Sequence, residues 1–431
     1  MARKWIVERV EPLLKKIVSL KDPSAAMSLM HYSGIANNMV YIQRTTPTHL
    51  ITDALAHYSD LLRSALAKIS CENLTETMWR IAGLPWKKGG HQIRDPTLHA
   101  PAAHLASLLA CRDQVVAAWP QAQAHLEKMI AEEVALFNSK LSSAVTSVKV
   151  DTKTAIKQGQ LSEKIDISIL DALIKNSDQR QCALIFAQQT SHASAWKHAT
   201  VKASQNHCLR PDEFQVSCQV SLGAKVLPDD KPLCPFCQKN EIDPYGDHVI
   251  SCPDAGHVVH THNVYRDALV NFARMAGVTV QIEQTISLVD GTTYRADIVL
   301  PTGLPGYTSL PVLLDVTFRS PFTKTAIKKA CKWSGAAAGM GEDDKERLLN
   351  KALTDSKYAL IPIGVETLGG IGSECAPFMN FLLTQLTYKL RQPFHEVASS
   401  FWQTLSVLVQ RIKSNRILRC QQLLLTPKQR Q

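Results

Sequence analysis

The chain has 431 residues, 45% hydrophobic and 20% charged. That excludes a disordered polyelectrolyte and leaves room for two or three domains with cores of their own. Lys and Arg outnumber Asp and Glu by 48 to 38, a net charge of +10, so a polyanion such as nucleic acid is one expected partner and plain solubility the bland alternative.

No run of about eighteen apolar residues exists, which argues against a membrane-spanning helix. Met1-Ala-Arg-Lys-Trp5 leads into no apolar signal segment. The eleven cysteines then read as reduced thiols in the cytosol or nucleus, where a C-x-x-C pair signals metal or redox chemistry.

Residues 1 to about 145 are predicted helical. Ile51 to Leu66 carries apolar residues three and four apart. Residues 85–94 form a Gly-punctuated break, and a helix restarts at Pro101 with that proline in its first turn. Residues 146–230 form a linker region: polar and Ser/Thr/Lys-rich to about 165, mixed beyond. Residues 231–260 hold a compact cysteine-rich knuckle.

A helix is predicted over 263–276, then β-branched strands over 278–288, 292–300 and 311–318. Residues 326–352 read as a helix interrupted at Gly339 and Gly341, and 358–365 as a further strand. The last segment, 371–431, reads as a basic helical tail, helical over Phe378 to Leu425. Residues 376–431 contain eight Lys/Arg and one Glu, and a solvated helix face is the bland reading of that charge. No internal repeat is present.

Within the knuckle, Cys234-Pro-Phe-Cys237 is followed by His248 and Cys252. Thiolates and imidazole suit tetrahedral Zn²⁺, and four such donors in nineteen residues make a Cys₃His site, closed and therefore structural. Scattered core cysteines are the competing explanation.

Downstream, Asp297 lies in Tyr294-Arg-Ala-Asp-Ile-Val-Leu300 and Asp315 in Val312-Leu-Leu-Asp-Val-Thr-Phe318. A carboxylate inside an apolar strand is costly unless it meets a cation or a strong donor. A hairpin centred near residue 306 would set the two opposite each other on one face. So placed, they could hold Mg²⁺ or Mn²⁺, which activates water and neutralises phosphodiester charge. Lys345, Lys328 and Lys329 are candidates to support the nucleophile, and Glu283 is a further acidic member. Singly, each aspartate reads as an edge-strand or capped carboxylate and Lys345 as an exposed helix charge. His260, His262 and Asn263 form either a surface cluster or an outer ring around the site.

These residues resemble the C-terminal region of non-LTR retrotransposon polyproteins that carry a restriction-like endonuclease of the PD-(D/E)xK type. That family's marks are a CCHC knuckle, an Arg-His-Asn triplet, a Pro-Asp strand and an Asp-Val strand. Here they read Cys234, Cys237, His248 and Cys252; Thr261-His262-Asn263 with Arg266 following; Ala296-Asp297; and Asp315-Val316. The helix from Gly335 to Lys345 resembles the family's lysine-bearing helix, and Glu366-Thr-Leu-Gly-Gly370 a segment near its end. Leu29 to Tyr41, Arg44-Thr-Thr-Pro47 and Leu84-Pro-Trp-Lys-Lys-Gly-Gly90 are similar to a polymerase thumb and the linker after it.

The resemblance implies a multidomain α+β chain: a helical thumb-like region, a small zinc knuckle, a restriction-like α/β endonuclease core over 261–370 and a basic helical tail. It implies catalysis by Asp297, Asp315, Lys345 and Glu283 with Mg²⁺ or Mn²⁺, and nucleic-acid contacts by His262, Asn263 and Arg266. DNA and element RNA would be partners, a reverse transcriptase would act in trans, and the location would be nuclear. Thr261 and Ala296 depart from the family's Arg and Pro. No Tyr-x-Asp-Asp occurs, so polymerase activity is not expected. The alternative is a nucleic-acid-binding remnant without cleavage.

Overall fold

The structure is a computed structural model describing residues 2–33, 39–150, 156–199, 207–287, 291–353 and 357–425. It is multidomain and 62% helical, with one four-stranded mixed sheet. The chain divides into two compact units, Met1–Asp178 and Gln179–Gln431. The boundaries expected at residues 145, 231, 261 and 371 are finer than this division, which falls after Asp178.

The first unit is helical, as its periodicity indicates. Its longer helices are Pro23–Tyr32, Thr52–Ser70, Pro96–Ala118, Gln123–Asn138 and Gln158–Lys175. Asp22 and Asp95 cap two of them by accepting N–H groups of the first turn. Because Asp95 and Pro96 already start their helix, Pro101 lies inside it rather than in its first turn.

Part of the expected linker is also core: Leu161, Ile165 and the fully buried Asp166 sit on Gln158–Lys175 and pack into this unit. The polar composition hid an apolar stripe of only a few residues. Residues 151–155 lie outside the described residues. Asp166 is held by Arg94 Nη2 at 2.7 Å. Burial still pushes its carboxyl up to about 6, against the pull of Arg94.

The second unit begins with helices α1 (Gln179–Gln189) and α2 (Pro211–Leu222), followed by the knuckle and α3 (His257–Met275). Strands β1 (Gln281–Ser287), β2 (Thr293–Leu300), β3 (Val312–Arg319) and β4 (Ala359–Glu366) line up in the order β1-β2-β3-β4. The first two pairings are antiparallel and β3–β4 is parallel. The parallel step requires a crossover, supplied by α4 (Ala336–Leu353). Helices α5 (Ala376–Leu390) and α6 (Phe394–Leu425) end the unit.

Both faces of the sheet are covered. Ile298, Leu300, Leu314 and Val316 pack with α3, α5 and α6. Ala296, Val299 and Leu313 pack with Leu349 and Leu353 of α4.

Gly339 and Gly341 do not interrupt α4. A Cβ on Gly341 would meet Thr317 Cγ2 at 2.8 Å, and one on Gly364 would run into the Ala338 carbonyl. These glycines bring the helix against β3 and β4, and the close approach outweighs their poor helix propensity.

The expected basic tail is instead a structural wall. Helix α6 places Val397, Phe401, Leu405 and Val409 in the sheet core and Ile417 and Cys420 in the knuckle core. Its charges are partly internal. Lys413 is 3% exposed, its ammonium donates to Gln410 Oε1, and burial pulls it down to about 7. Arg416 lies over the Phe236 ring at 3.3 Å.

Candidate functional site

The knuckle is built on a tight turn. Gln238 N–H donates to the Cys234 carbonyl and Cys234 N–H to the Asn240 carbonyl, which presents both thiols of the C-x-x-C pair on one side. Asp243 then fixes the short helix Asp247–Ser251 by accepting N–H groups from Tyr245, Asp247 and His248. Asp247 in turn holds Arg180 of α1 through two bonds of 2.6 and 2.9 Å, with the guanidinium 3.8 Å over the Tyr245 ring.

The result brings donor atoms of Cys234, Cys237, His248 and Cys252 within 4.8 Å of one another. Three sulfurs and one imidazole nitrogen so arranged could hold a metal such as zinc. The three cysteines are buried. Burial opposes ionisation of Cys237, but N–H groups of Lys239 and Asn240, with His248, bring its thiol down to about 6.

The second cluster arises where the sheet's alternation slips. Tyr294 and Ala296 face α4, and so does Val299, whereas Ile298 and Leu300 face the other core. Asp297 sits at this change of phase. The β1–β2 ladder skips the same row: Ile282 pairs with Ile298 and Gln284 with Ala296, leaving Glu283, at φ 53°, opposite Asp297.

The β2–β3 register, Ile298 opposite Leu314, continues by one step to Asp297 opposite Asp315. This is the register expected from a hairpin centred near residue 306. There the ladder opens, and Asp297 Oδ2 accepts the Val316 N–H at 2.8 Å. Across the sheet the same row ends on Pro362 of β4, which pairs with Asp315 and has no N–H.

Asp315 is 2% exposed. Lys345 Nζ of α4 lies 2.9 Å from its Oδ1, and Tyr294 Oη donates to its Oδ2. Burial raises the Asp315 carboxyl above the ordinary range, while Lys345 and then His262 pull the other way. His262 Nε2 of α3 is 2.8 Å from Asp297 Oδ2, and this hydrogen bond raises the imidazole's proton affinity. Donor atoms of His262, Asp297 and Asp315 lie within 4.8 Å of one another, the only such group besides the knuckle among the described residues.

The remaining candidates divide. Among the three lysines, Lys345 reaches Asp315, whereas Lys328 and Lys329 are exposed on a turn of helix at Ile327–Ala330. His262, expected to touch nucleic acid, belongs to the carboxylate cluster. Asn263 Oδ1 is 3.1 Å from its other ring nitrogen, and His260 is exposed. Arg266 is buried and donates to Asp267 and Glu283, so its guanidinium braces α3 against β1 instead of facing solvent. Glu283, held by Arg266 and Arg295 at 2.6 and 2.7 Å, is outside the three-residue group.

Three further residues were not signalled by spacing. Tyr294 reaches Asp315 across strands. Glu366 caps α4, accepting N–H groups of Ala337 and Ala338. Thr190 bridges the two, donating to Glu366 Oε2 and accepting the Gly335 N–H. Thus the Glu366-Thr-Leu-Gly-Gly370 segment anchors the helix that carries Lys345.

No protein-family model matches the chain, and no curated protein matches it. Among the described residues, no helix is long and apolar enough to cross a membrane.

Proposed function

We propose that the second unit is a metal-dependent DNA endonuclease of the restriction-like, PD-(D/E)xK type, as the resemblance to non-LTR retrotransposon proteins implies. The observation that carries this reading is the convergence of Asp297, Asp315, His262 and Lys345 from two strands and two helices. The order helix, three strands, crossover helix, parallel strand supports the fold assignment.

Asp297 and Asp315, with His262, would hold Mg²⁺ or Mn²⁺, and that cation would supply charge neutralisation at a scissile phosphate and activation of water. Lys345 Nζ, poised on Asp315, places a cation where the attacking oxygen or the phosphoryl charge would lie. Tyr294 and the Val316 N–H orient the carboxylates, and Glu366 holds α4 in place. Glu283, with Arg266 and Arg295, braces the strand bearing Asp297. Zinc at Cys234, Cys237, His248 and Cys252 would be structural. DNA and element RNA are the proposed partners, with polymerisation supplied in trans and the nucleus as the working location.

A second reading, a nucleic-acid-binding remnant without cleavage, is favoured by one observation. Three of the four carboxylate oxygens already have protein donors, so the cluster is satisfied without turnover. Plasmid nicking with Mg²⁺ or Mn²⁺ separates the two. The endonuclease reading expects nicking that is lost in Asp297→Ala and in Asp315→Ala. Nicking that survives both removes this site, and salt-sensitive DNA binding without nicking supports the remnant.

A further inference from the structure

The connection from β3 to α4 links the strand carrying Asp315 to the helix carrying Lys345, and its surface has no part in the cluster just described. From Ser320 to Gly341 the sequence contains Lys324, Lys328, Lys329 and Lys332 and no acidic residue. All four lysines are exposed, and none is in a salt bridge among the described residues. Beside them Trp333 is 68% exposed.

The segment is nevertheless well held. Backbone bonds run from Ile327 N–H to the Thr323 carbonyl through to Trp333 N–H on the Lys329 carbonyl. Ala326 and Ala330, four apart, point inward at 4% and 2% exposure. Phe322 packs into the knuckle core, 4.8 Å from the Arg180 guanidinium. A fixed turn of helix thus presents a row of cations and one bare indole on its outer side.

Resting on the reading of this unit as one that acts on nucleic acid, we propose that this face binds an unpaired nucleic-acid strand, with Trp333 stacked on a base and the four lysines on the phosphates. Lysines alone would suit any polyanion, and phosphate contacts carry no preference for strandedness. The exposed indole narrows the choice. In a duplex both faces of each base are covered by neighbours, so a base can lie on Trp333 only at a gap, flap or single-stranded tract. An anionic membrane fits less well, because interfacial helices need an apolar face, and here Ala326 and Ala330 are buried, Phe322 and Ile327 are only partly exposed, and Trp333 is the one exposed apolar side chain between Ser320 and Gly335. The segment joins the strand bearing Asp315 to the helix bearing Lys345.

The test is fluorescence anisotropy on the full chain without added Mg²⁺. The probes are a labelled oligo-dT of roughly 20 nucleotides, longer than a typical binding site of about 4–16, and a mixed-sequence duplex of the same length. Trp333→Ala should weaken oligo-dT binding about fivefold or more while leaving duplex binding unchanged, and Trp333→Phe should restore most of the loss. Replacing all four lysines with Ala should weaken both probes. It should also reduce the slope of log K against log salt on oligo-dT by about 3, at about 0.7 per lost phosphate contact.

Oligo-dT binding unchanged in both variants overturns the proposal. So does a Trp333→Ala loss equal on both probes, or a Trp333-dependent binding to phosphatidylserine vesicles with oligo-dT binding intact. The outcomes are separable from those of the nicking assay. Nicking that survives Asp297→Ala and Asp315→Ala removes the metal site and leaves this surface standing, whereas unchanged oligo-dT binding removes the surface and leaves the nicking result standing.

Discussion

Lys345 takes its role from a partner on another element, Asp315. Its ammonium is 2.9 Å from Asp315 Oδ1 and its side chain is 30% exposed, so the side chain is partly open to solvent and oriented by the carboxylate. Lys345→Ala should lower the nicking rate by about 100-fold or more at unchanged DNA affinity, read from single-turnover kinetics beside anisotropy. Glu366 acts on the same helix from its start. Its carboxyl is raised to about 7 by burial, which outweighs the N–H groups it accepts. A folded-state value above the unfolded one means that its contribution to stability is full below about 4.5 and is lost as pH rises through about 7. Glu366→Gln should therefore flatten the fall in the urea midpoint between those limits, measured by circular dichroism at a series of pH values.

At the scale of elements, the fit between α4 and the sheet is set by glycines. A Cβ at Gly341 would meet Thr317 Cγ2 at 2.8 Å and Arg319 Cγ at 3.0 Å. Gly341→Ala should destabilise the second unit by about 1–3 kcal/mol despite its better helix propensity, and slow nicking by shifting Lys345; equilibrium unfolding and the plasmid assay check the two parts. From sequence these glycines read as a helix break, because propensity is local and the close approach of a sheet is not. The strands were legible because β-branched runs bounded by turn residues recur over 278–318, and the hairpin arithmetic that opposed Asp297 to Asp315 held. The slip of phase at Asp297 was not legible: Tyr294, Ala296 and Val299 share a face, and the change falls opposite Glu283, which has positive φ and is missing from the β1 ladder. Nor could spacing reveal that Arg266 is buried against Glu283, since an Arg on a predicted helix reads equally well as a surface contact.

At the scale of the whole molecule, each unit has a core of its own, and the knuckle belongs to the second. Cys234→Ser with Cys237→Ser should abolish co-purification of one equivalent of zinc, measured by atomic absorption. It should also lower the melting of the second unit alone by several degrees, given about 2–4 °C per kcal/mol for a domain of this size. Helix α6 is what ties that loss to the sheet, because one end completes the knuckle core and the other the sheet core. This has a temporal consequence. A chain synthesised from its N-terminus has all four metal donors and all four strands before the helix that walls them both. Until α6 emerges, Leu314 and Ile361 on one side and Cys234 and Val249 on the other lack their common cover. The two cores of the second unit are therefore completed together only when the segment Phe394–Leu425 is present.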